Sequence, residues 1–422
     1  MTQDTAAQRR YPTVYLHIGT PKSGTTFLQD VLGHNRQRLA EQGVLWPGST
    51  WGDQVHAVRD LANITPADHR RGETAGAWQR LVDEIHAWDG HSAIVSMEWL
   101  VDAKPRHIRR AIDSLAPADV HVILTGRDLA RNVPASWQED MRNWFTYTWQ
   151  EYLAAVTDPE SATLEVGTRF WRQQDLGAIL RRWGKAVPAT RMHVLTVPPP
   201  GSDPRLLWQR FAETTGIDAA DYDVPPKGRN VSLGVVSAEL MRRVNTVARE
   251  RGLRWKPSER LLKQVLGKRV LTRRSDHEPS LALPAELYPW AIDQGKRIAD
   301  DVAHAGVHVS GDLAELIPDP AAARGTTTPD TISDRELLEA AIDGIVGIVG
   351  AVNRMQRTGA LPTSGDEPAP KRWSAPADRM KELLAEGTQR VARNDVLRRA
   401  WHTARRRTML AQRRISRRRP PR

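Results

Sequence analysis

The stretch Thr13-Val14-Tyr15-Leu16-His17-Ile18-Gly19-Thr20-Pro21-Lys22-Ser23-Gly24-Thr25-Thr26 decides the fold. Residues 13–18 are β-branched or apolar and read as a short buried strand. A turn with two glycines follows, and residues 25–32 open a helix. A strand, a glycine turn and a helix in that order aim backbone N–H groups and the positive end of the helix dipole at the turn. Such a turn cradles phosphate. Gly19 and Gly24 allow close backbone approach, Lys22 supplies a point charge, and Ser23, Thr25 and Thr26 supply hydroxyls. The spacing is not that of a Walker A loop. Counted from Gly19, the second glycine falls correctly at Gly24, but Thr25 holds the place of the lysine. Lys22 lies inside the loop instead, which argues against ATP or GTP hydrolysis.

Working outward, further strands are predicted over 93–97, 120–125 and 192–197. Helices are predicted over 76–88, 105–115, 131–143, 169–185 and 204–216. Strands alternating with helices imply an α/β fold: a P-loop-like parallel sheet flanked by helices on both faces. Ligands of such sheets bind at the carboxyl ends of the strands. Residues 234–310 read as mostly helical and close the domain near residues 309–313.

The chain has 422 residues and 40% hydrophobic residues, enough for one large domain with appendages. It divides into a domain over 1–318, a linker over 319–333, a helix over 334–358, a second linker over 359–376 and a basic tail over 377–422. The helix over 334–358 spaces Leu338, Ala341, Ile345, Ile348, Val352 and Met355 alternately by three and four. This is the pattern of a coiled-coil seam or of a face docked on the body. The last segment carries Met380, Leu384, Val391, Leu397 and Trp401 near one face, with arginines elsewhere.

No cysteine is present, so disulfides, thiolate metal sites and a cysteine nucleophile are excluded. The 13 histidines make no metal-like cluster, and no metal is expected. The net charge of +11 is unevenly placed. Residues 371–422 hold 17 Lys+Arg against 4 Asp+Glu, a charge of +13, which leaves the remainder at −2. Binding to polyanions is therefore an expectation for the tail alone. The polar opening residues lack a signal-peptide pattern, and no run approaches the ~20 apolar residues of a membrane-spanning helix. A cytoplasmic location is expected.

Residues 21–26, Pro-Lys-Ser-Gly-Thr-Thr, resemble the 5'-phosphosulfate loop of the sulfotransferase superfamily, whose donor is PAPS (3'-phosphoadenosine-5'-phosphosulfate). The resemblance implies that Lys22 touches the bridging oxygen of the departing phosphate, where negative charge develops, and that PAP is the product. It implies an arginine at a strand end and a serine nine residues on, both on the donor's 3'-phosphate. Arg127 and Ser136 stand at that spacing, and a guanidinium meets phosphate bidentately. It further implies a late basic loop closing over the 3'-phosphate and adenine, matched more loosely by Lys227, Gly228 and Arg229. Phe27 stands where relatives stack an aromatic ring on adenine, although a helix position of this kind also suits the core. Trp137-Gln138-Glu139 matches a helix motif of bacterial relatives. The similarity covers roughly residues 11–318 and leaves the C-terminal extension without a counterpart.

Transfer to a hydroxyl needs a base within hydrogen-bond reach. Relatives of the heparan type use a glutamate at the end of the second strand, and Glu98 stands near that place. His17 and His56 are the rivals. Two other functions stay open at this stage: a P-loop kinase, and a non-catalytic polyanion-binding protein that keeps the fold. The expected acceptor is a hydroxyl or amine on a carbohydrate, a glycolipid or a small molecule. An anionic membrane surface is the expected partner of the tail. Nucleic acid is an alternative for that tail but not the expected partner of the protein, and a homodimer is open.

Overall fold

The structure is a computed structural model describing residues 11–63, 74–160, 163–224, 232–254, 258–322 and 328–358. The chain divides into two compact units, Met1–Asn353 and Arg354–Arg422. Of the second unit only residues 354–358 are described, so the expected linker over 359–376 and tail over 377–422 lie outside the described residues. Lys227, Gly228 and Arg229 also lie outside them.

In the first unit β1 (Thr13–Gly19) leads into α1 (Thr25–His34) and α2 (Arg36–Glu41). Next come β2 (Val44–Leu45), α3 (Trp51–Leu61), α4 (Ala77–Ala87), β3 (Ser92–Ser96) and α5 (Pro105–Leu115). After β4 (Val120–Gly126) come α6 (Leu129–Arg142), α7 (Trp149–Thr157), α8 (Val166–Gln174), α9 (Leu176–Trp183) and β5 (Met192–Thr196). The chain continues with α10 (Leu206–Thr215), α11 (Val235–Glu250), a π-helix (Arg260–Val270), α12 (Tyr288–His304), β6 (His308–Ser310) and α13 (Asp334–Thr358).

The six strands pair in the order β2-β3-β1-β4-β5-β6, every pair parallel. This is the α/β fold expected from the alternation of strands and helices. β1 lies at the centre, between β3 and β4, and the chain passes from one side of it to the other between those strands. The crevice at the carboxyl end of β1 is therefore the topological switch point, where such sheets bind ligands. The phosphate-loop sequence occupies that crevice because it is the segment that leaves β1.

Period-two alternation along the strands splits the core in two. Val14, Leu16 and Ile18 face one side with Val95, Val122, Leu124 and Val194. Ile94, Ile123 and Leu195 face the other, covered by α1 through Leu28, Val31 and Leu32 and by α10 through Leu207, Trp208 and Phe211. Each such fully buried aliphatic or aromatic side chain contributes about 1.5–3 kcal/mol relative to exposure. The loop is thus carried on a central strand whose last four residues are all buried.

Two expectations are corrected here. The helix predicted over 169–185 is two helices. Asp175 adopts an extended backbone (φ −76°, ψ 94°) and its carboxylate caps α9 by accepting from Ala178 N. α13 forms and docks on the body, one of the two readings of its pattern, but only part of the seam faces inward: Ala341 and Ile348 pack against the core and other seam residues turn out. Leu338 is 61% and Ile345 63% exposed, whereas Leu337, Ala340 and Ala351 are buried. Small residues decide this orientation. A Cβ on Gly344 would lie 2.8 Å from Leu266 Cδ1, and one on Gly347 would lie 2.2 Å from Val270 Cγ2, so only glycine lets α13 approach the π-helix. Arg274 pairs with Asp343 on the same side.

Candidate functional site

The loop between β1 and α1 is stitched to β4 from below. Thr20 N donates to Thr125 O at 2.9 Å and Thr20 Oγ1 to the same oxygen at 3.1 Å. Ser23 Oγ bonds to Thr20 O and to Thr125 Oγ1 and is wholly buried. The Ser23 hydroxyl was expected to face a ligand; it is spent instead on fixing the loop, because it turns toward the sheet. From the side, Gln174 Nε2 donates to Pro21 O at 3.0 Å. Asn132 links Gln174 to the β4 turn, donating to Gln174 Oε1 at 2.7 Å and to Arg127 O at 3.3 Å.

Fixed in this way, the loop takes an unusual backbone path. Lys22 has φ 65° and Gly24 φ 87°, both left-handed. Gly24 stands at the N-cap of α1 with no side-chain cap bond, and the first turn of α1 has no acidic residue. The first N–H groups of the helix therefore keep their capacity for an incoming anion. Thr25 is buried, Thr26 is exposed, and Pro21, Lys22 and Phe27 are half-buried. Phe27 packs against the core cluster of α1 and α10, which favours the core reading of this position.

Arg127 follows β4 directly. Its Nη1 donates to the carbonyl of Lys22 at 3.1 Å, so the strand-end guanidinium rests on the backbone of the loop. Its Nε is buried with no hydrogen-bond partner among the described residues. Burial, with Arg131 beside it, pushes the guanidinium down to about 10, so it remains charged at neutral pH. A buried charge with an unused donor is costly unless an anion completes it. Asp128 caps α6, accepting from Arg131 N at 3.0 Å, and pairs with the Arg131 side chain. Ser136 lies half-buried on α6, two turns beyond that cap, near Tyr152.

Lys22 Nζ reaches α6 and pairs with Glu139 Oε2 at 2.8 Å. Arg142 Nη1 meets the same oxygen at 3.2 Å. Asn143 Nδ2 donates to Glu139 Oε1 at 3.2 Å, and Lys263 of the π-helix donates to Asn143 Oδ1. Burial alone would raise the Glu139 carboxyl, but Lys22, Arg142 and Lys263 together hold it well below the usual carboxylate range. Burial lowers Lys263 in turn.

Glu98 begins a short 3-10 turn, Glu98–Asp102, that packs on β1. A Cβ on Gly19 would lie 3.0 Å from Glu98 Cβ, so the Cα and Cβ of Glu98 abut the start of the loop. Gln29 orients the carboxylate, donating from Nε2 to Glu98 Oε2 at 3.1 Å and to Ser96 O at 3.1 Å. Trp99 turns outward at 38% exposure, with the Arg59 guanidinium 5.1 Å over its ring.

The histidine rivals fare differently. His17 is fully buried, its Nδ1 2.7 Å from Ser96 Oγ and its Nε2 3.4 Å from Thr125 Oγ1. Burial pushes it down to about 3. His17 is therefore a neutral core histidine, not a base facing an acceptor; its strand turns it toward Phe211, which it meets edge-on at 5.5 Å. His56 is half-buried on α3, its Nδ1 3.2 Å from Thr74 Oγ1.

Sequence reasoning gave no role to Glu139 and missed Gln29, Arg142, Asn143 and Lys263. Spacing could have signalled Glu139, since it lies one helical turn from Ser136 on the same face. Lys263 comes from a distant helix and left no local trace. Among the described residues no group of His, Asp or Glu is placed to hold a metal.

No protein-family model matches the chain. No curated protein matches it either. Among solved structures, a sulfotransferase from Alicyclobacillus acidocaldarius is similar at a TM-score of 0.36 and 15% identity, over 53% of this chain and 87% of that one. The sulfotransferase domain from the curacin biosynthetic pathway is similar at a TM-score of 0.27 and 12% identity, over 50% of this chain and 76% of that one. Likeness of this extent carries no functional weight, and the chemistry must be argued from the site itself.

Proposed function

We propose that this protein is a PAPS-dependent sulfotransferase acting on a hydroxyl or amine of a carbohydrate, glycolipid or small-molecule acceptor. The observation that carries this reading is the junction of Arg127 with the loop. A phosphate-type turn with its cation inside touches a buried guanidinium that has a donor to spare. Two anion-binding elements so close suit a nucleotide with phosphate at both ends of its sugar. The uncapped start of α1 and Lys22 suit the 5'-phosphosulfate; Arg127 and Ser136 suit the 3'-phosphate.

In the reaction the acceptor oxygen or nitrogen attacks sulfur in line. The bond between sulfur and the bridging phosphate oxygen breaks, and its electron pair stays on that oxygen, giving PAP. Lys22 neutralises the charge that develops there. Glu98, held by Gln29, takes the proton of the acceptor. Glu139 is a poor proton acceptor, because the cations around it keep it ionised.

A kinase reading has less support. Asp128, the carboxylate after β4, is committed to capping α6 and pairing with Arg131, which makes it a poor ligand for magnesium. The test is transfer of labelled sulfate from PAPS to lipid, glycan and small-molecule fractions of a cell extract. Labelled product that disappears with Lys22→Ala is expected. No product in any fraction, with PAP binding intact, would favour the non-catalytic polyanion-binding alternative.

Among the described residues no helix is long and apolar enough to cross a membrane. The +13 segment over 371–422 supports peripheral association with an anionic cytoplasmic membrane face, which would favour a lipid-linked acceptor. Flotation with anionic vesicles, with and without residues 371–422, tests this; equal flotation of both forms would remove it.

A further inference from the structure

Lys22 is not idle in this structure. Its ammonium is bonded to a carboxylate of the chain itself, at a place where the proposed chemistry needs it bonded to donor. We infer that Glu139 is a positioning residue, an internal counterion that holds Lys22 beside α6 and yields it to the bridging oxygen of the bound donor. The inference rests on the sulfotransferase reading and deepens it.

Three features make this an exchange rather than a fixed structural pair. First, the Lys22 backbone is pinned: its carbonyl is held by Arg127 Nη1 at 3.1 Å, and its φ of 65° belongs to the fixed turn. Only the side chain is left to move. Second, Glu139 does not depend on Lys22 alone. With Lys22 gone, its carboxylate keeps Arg142 Nη1 at 3.2 Å on Oε2 and Asn143 Nδ2 at 3.2 Å on Oε1, and Lys263 stands behind Asn143. Release of Lys22 therefore leaves no uncompensated buried charge, which would otherwise be prohibitive. Third, the Lys22 and Glu139 side chains are each 27% exposed, so an incoming anion reaches the pair without opening the core.

The consequence concerns affinity. A donor that must displace an internal carboxylate binds less tightly than one meeting a free ammonium, by the fraction of time that Lys22 is free. The arrangement also keeps a lone cation from holding adventitious anions in the loop, since a small anion gains one contact and must break another. The donor, anchored as well at Arg127 and the α1 amides, has binding energy to spare for the exchange.

The test is a double-mutant cycle read by calorimetric titration with PAP on the full chain: wild type, Glu139→Gln, Lys22→Ala and the double variant. Glu139→Gln is expected to tighten PAP binding by roughly three- to tenfold, the range of a half-exposed, hydrogen-bonded ion pair. In the Lys22→Ala background the same substitution should change PAP affinity by less than about twofold. An equal gain in both backgrounds would show a general field effect of the lost charge and would overturn the inference. An unchanged or weakened affinity in Glu139→Gln would overturn it too. A second readout needs no nucleotide. Reductive methylation of Lys22, followed by mass spectrometry, should run faster in Glu139→Gln than in wild type and return to the wild-type rate in Glu139→Asp. An unchanged rate would mean that Glu139 does not hold Lys22. Failure of wild type to bind PAP would instead strike the sulfotransferase reading, while the labelling rates would still report on the counterion.

Discussion

Replacing Gly24 by alanine separates the geometry of the loop from its composition. Gly24 adopts φ 87°, where an L-residue is strained by about 1–2 kcal/mol. A Cβ there would also lie 2.4 Å from Leu207 Cδ2, closer than real Cβ contacts come, and Leu207 is 7% exposed and packed in the core. Forcing a methyl into such a site costs a further ~1–3 kcal/mol. Gly24→Ala should therefore lose about 2–5 kcal/mol in urea unfolding, seen as a lower midpoint with unchanged slope. Leu207→Ala destabilises alone by leaving a cavity, but in the Gly24→Ala background it makes room for the new methyl. The two losses should sum to more than the double variant shows, by about 1–3 kcal/mol. Additive losses, or a Gly24→Ala protein within about 0.5 kcal/mol of wild type, would refute the claim that the start of α1 is wedged against α10 in a glycine-only conformation.

Glu98→Gln should lower turnover by on the order of 10²–10⁴ while PAP affinity changes little, since it removes a proton acceptor and no cation; turnover within tenfold of wild type would reassign the base, His56 being the remaining candidate. His17 sits at about 3 in the folded protein against its ordinary 6.5, so the unfolded chain binds the extra proton between those values. Its contribution is fully present above pH 6.5 and is lost as pH falls toward 3, by at most about 5 kcal/mol. His17→Asn should flatten the rise of stability with pH across that window; an unchanged slope would show that His17 is not held neutral. Gly347→Val, placing side-chain atoms into Val270, should detach α13 and lower the unfolding midpoint, whereas Ile345→Ser on the exposed side should not; the opposite ranking would restore the seam read from the sequence.

The sheet was legible because its strands are apolar runs bounded by turn residues, and the glycine loop set the polarity of the first strand and helix. β2 and β6 were not legible, because two and three residues carry no periodicity and form only where β3 and β5 offer a parallel edge. The break at Asp175 was hidden because apolar spacing runs through it; only the capping carboxylate marks it. α13 misled for a different reason. Periodicity weighs large apolar residues, whereas this helix buries Gly344 and Gly347, whose value lies in what they lack. In the site, the places of Lys22 on the turn and of Arg127 at the end of β4 were readable because they follow from the strand pattern. The orientation of the Ser23 hydroxyl was not legible, because the direction of a side chain within a turn depends on the strand beneath it. The environment of Lys22 was hidden because Glu139, Asn143 and Lys263 converge only through the packing of α6 against the π-helix.

The most direct measurement is calorimetric titration of the full chain with PAP and with ADP, repeated for Arg127→Ala. PAP should bind at least tenfold more tightly than ADP, which lacks the 3'-phosphate and carries a second phosphate at the 5' end instead, and Arg127→Ala should erase most of that preference. Equal affinity for the two nucleotides, or a preference that survives Arg127→Ala, would mean that the buried guanidinium beside Lys22 does not read a 3'-phosphate.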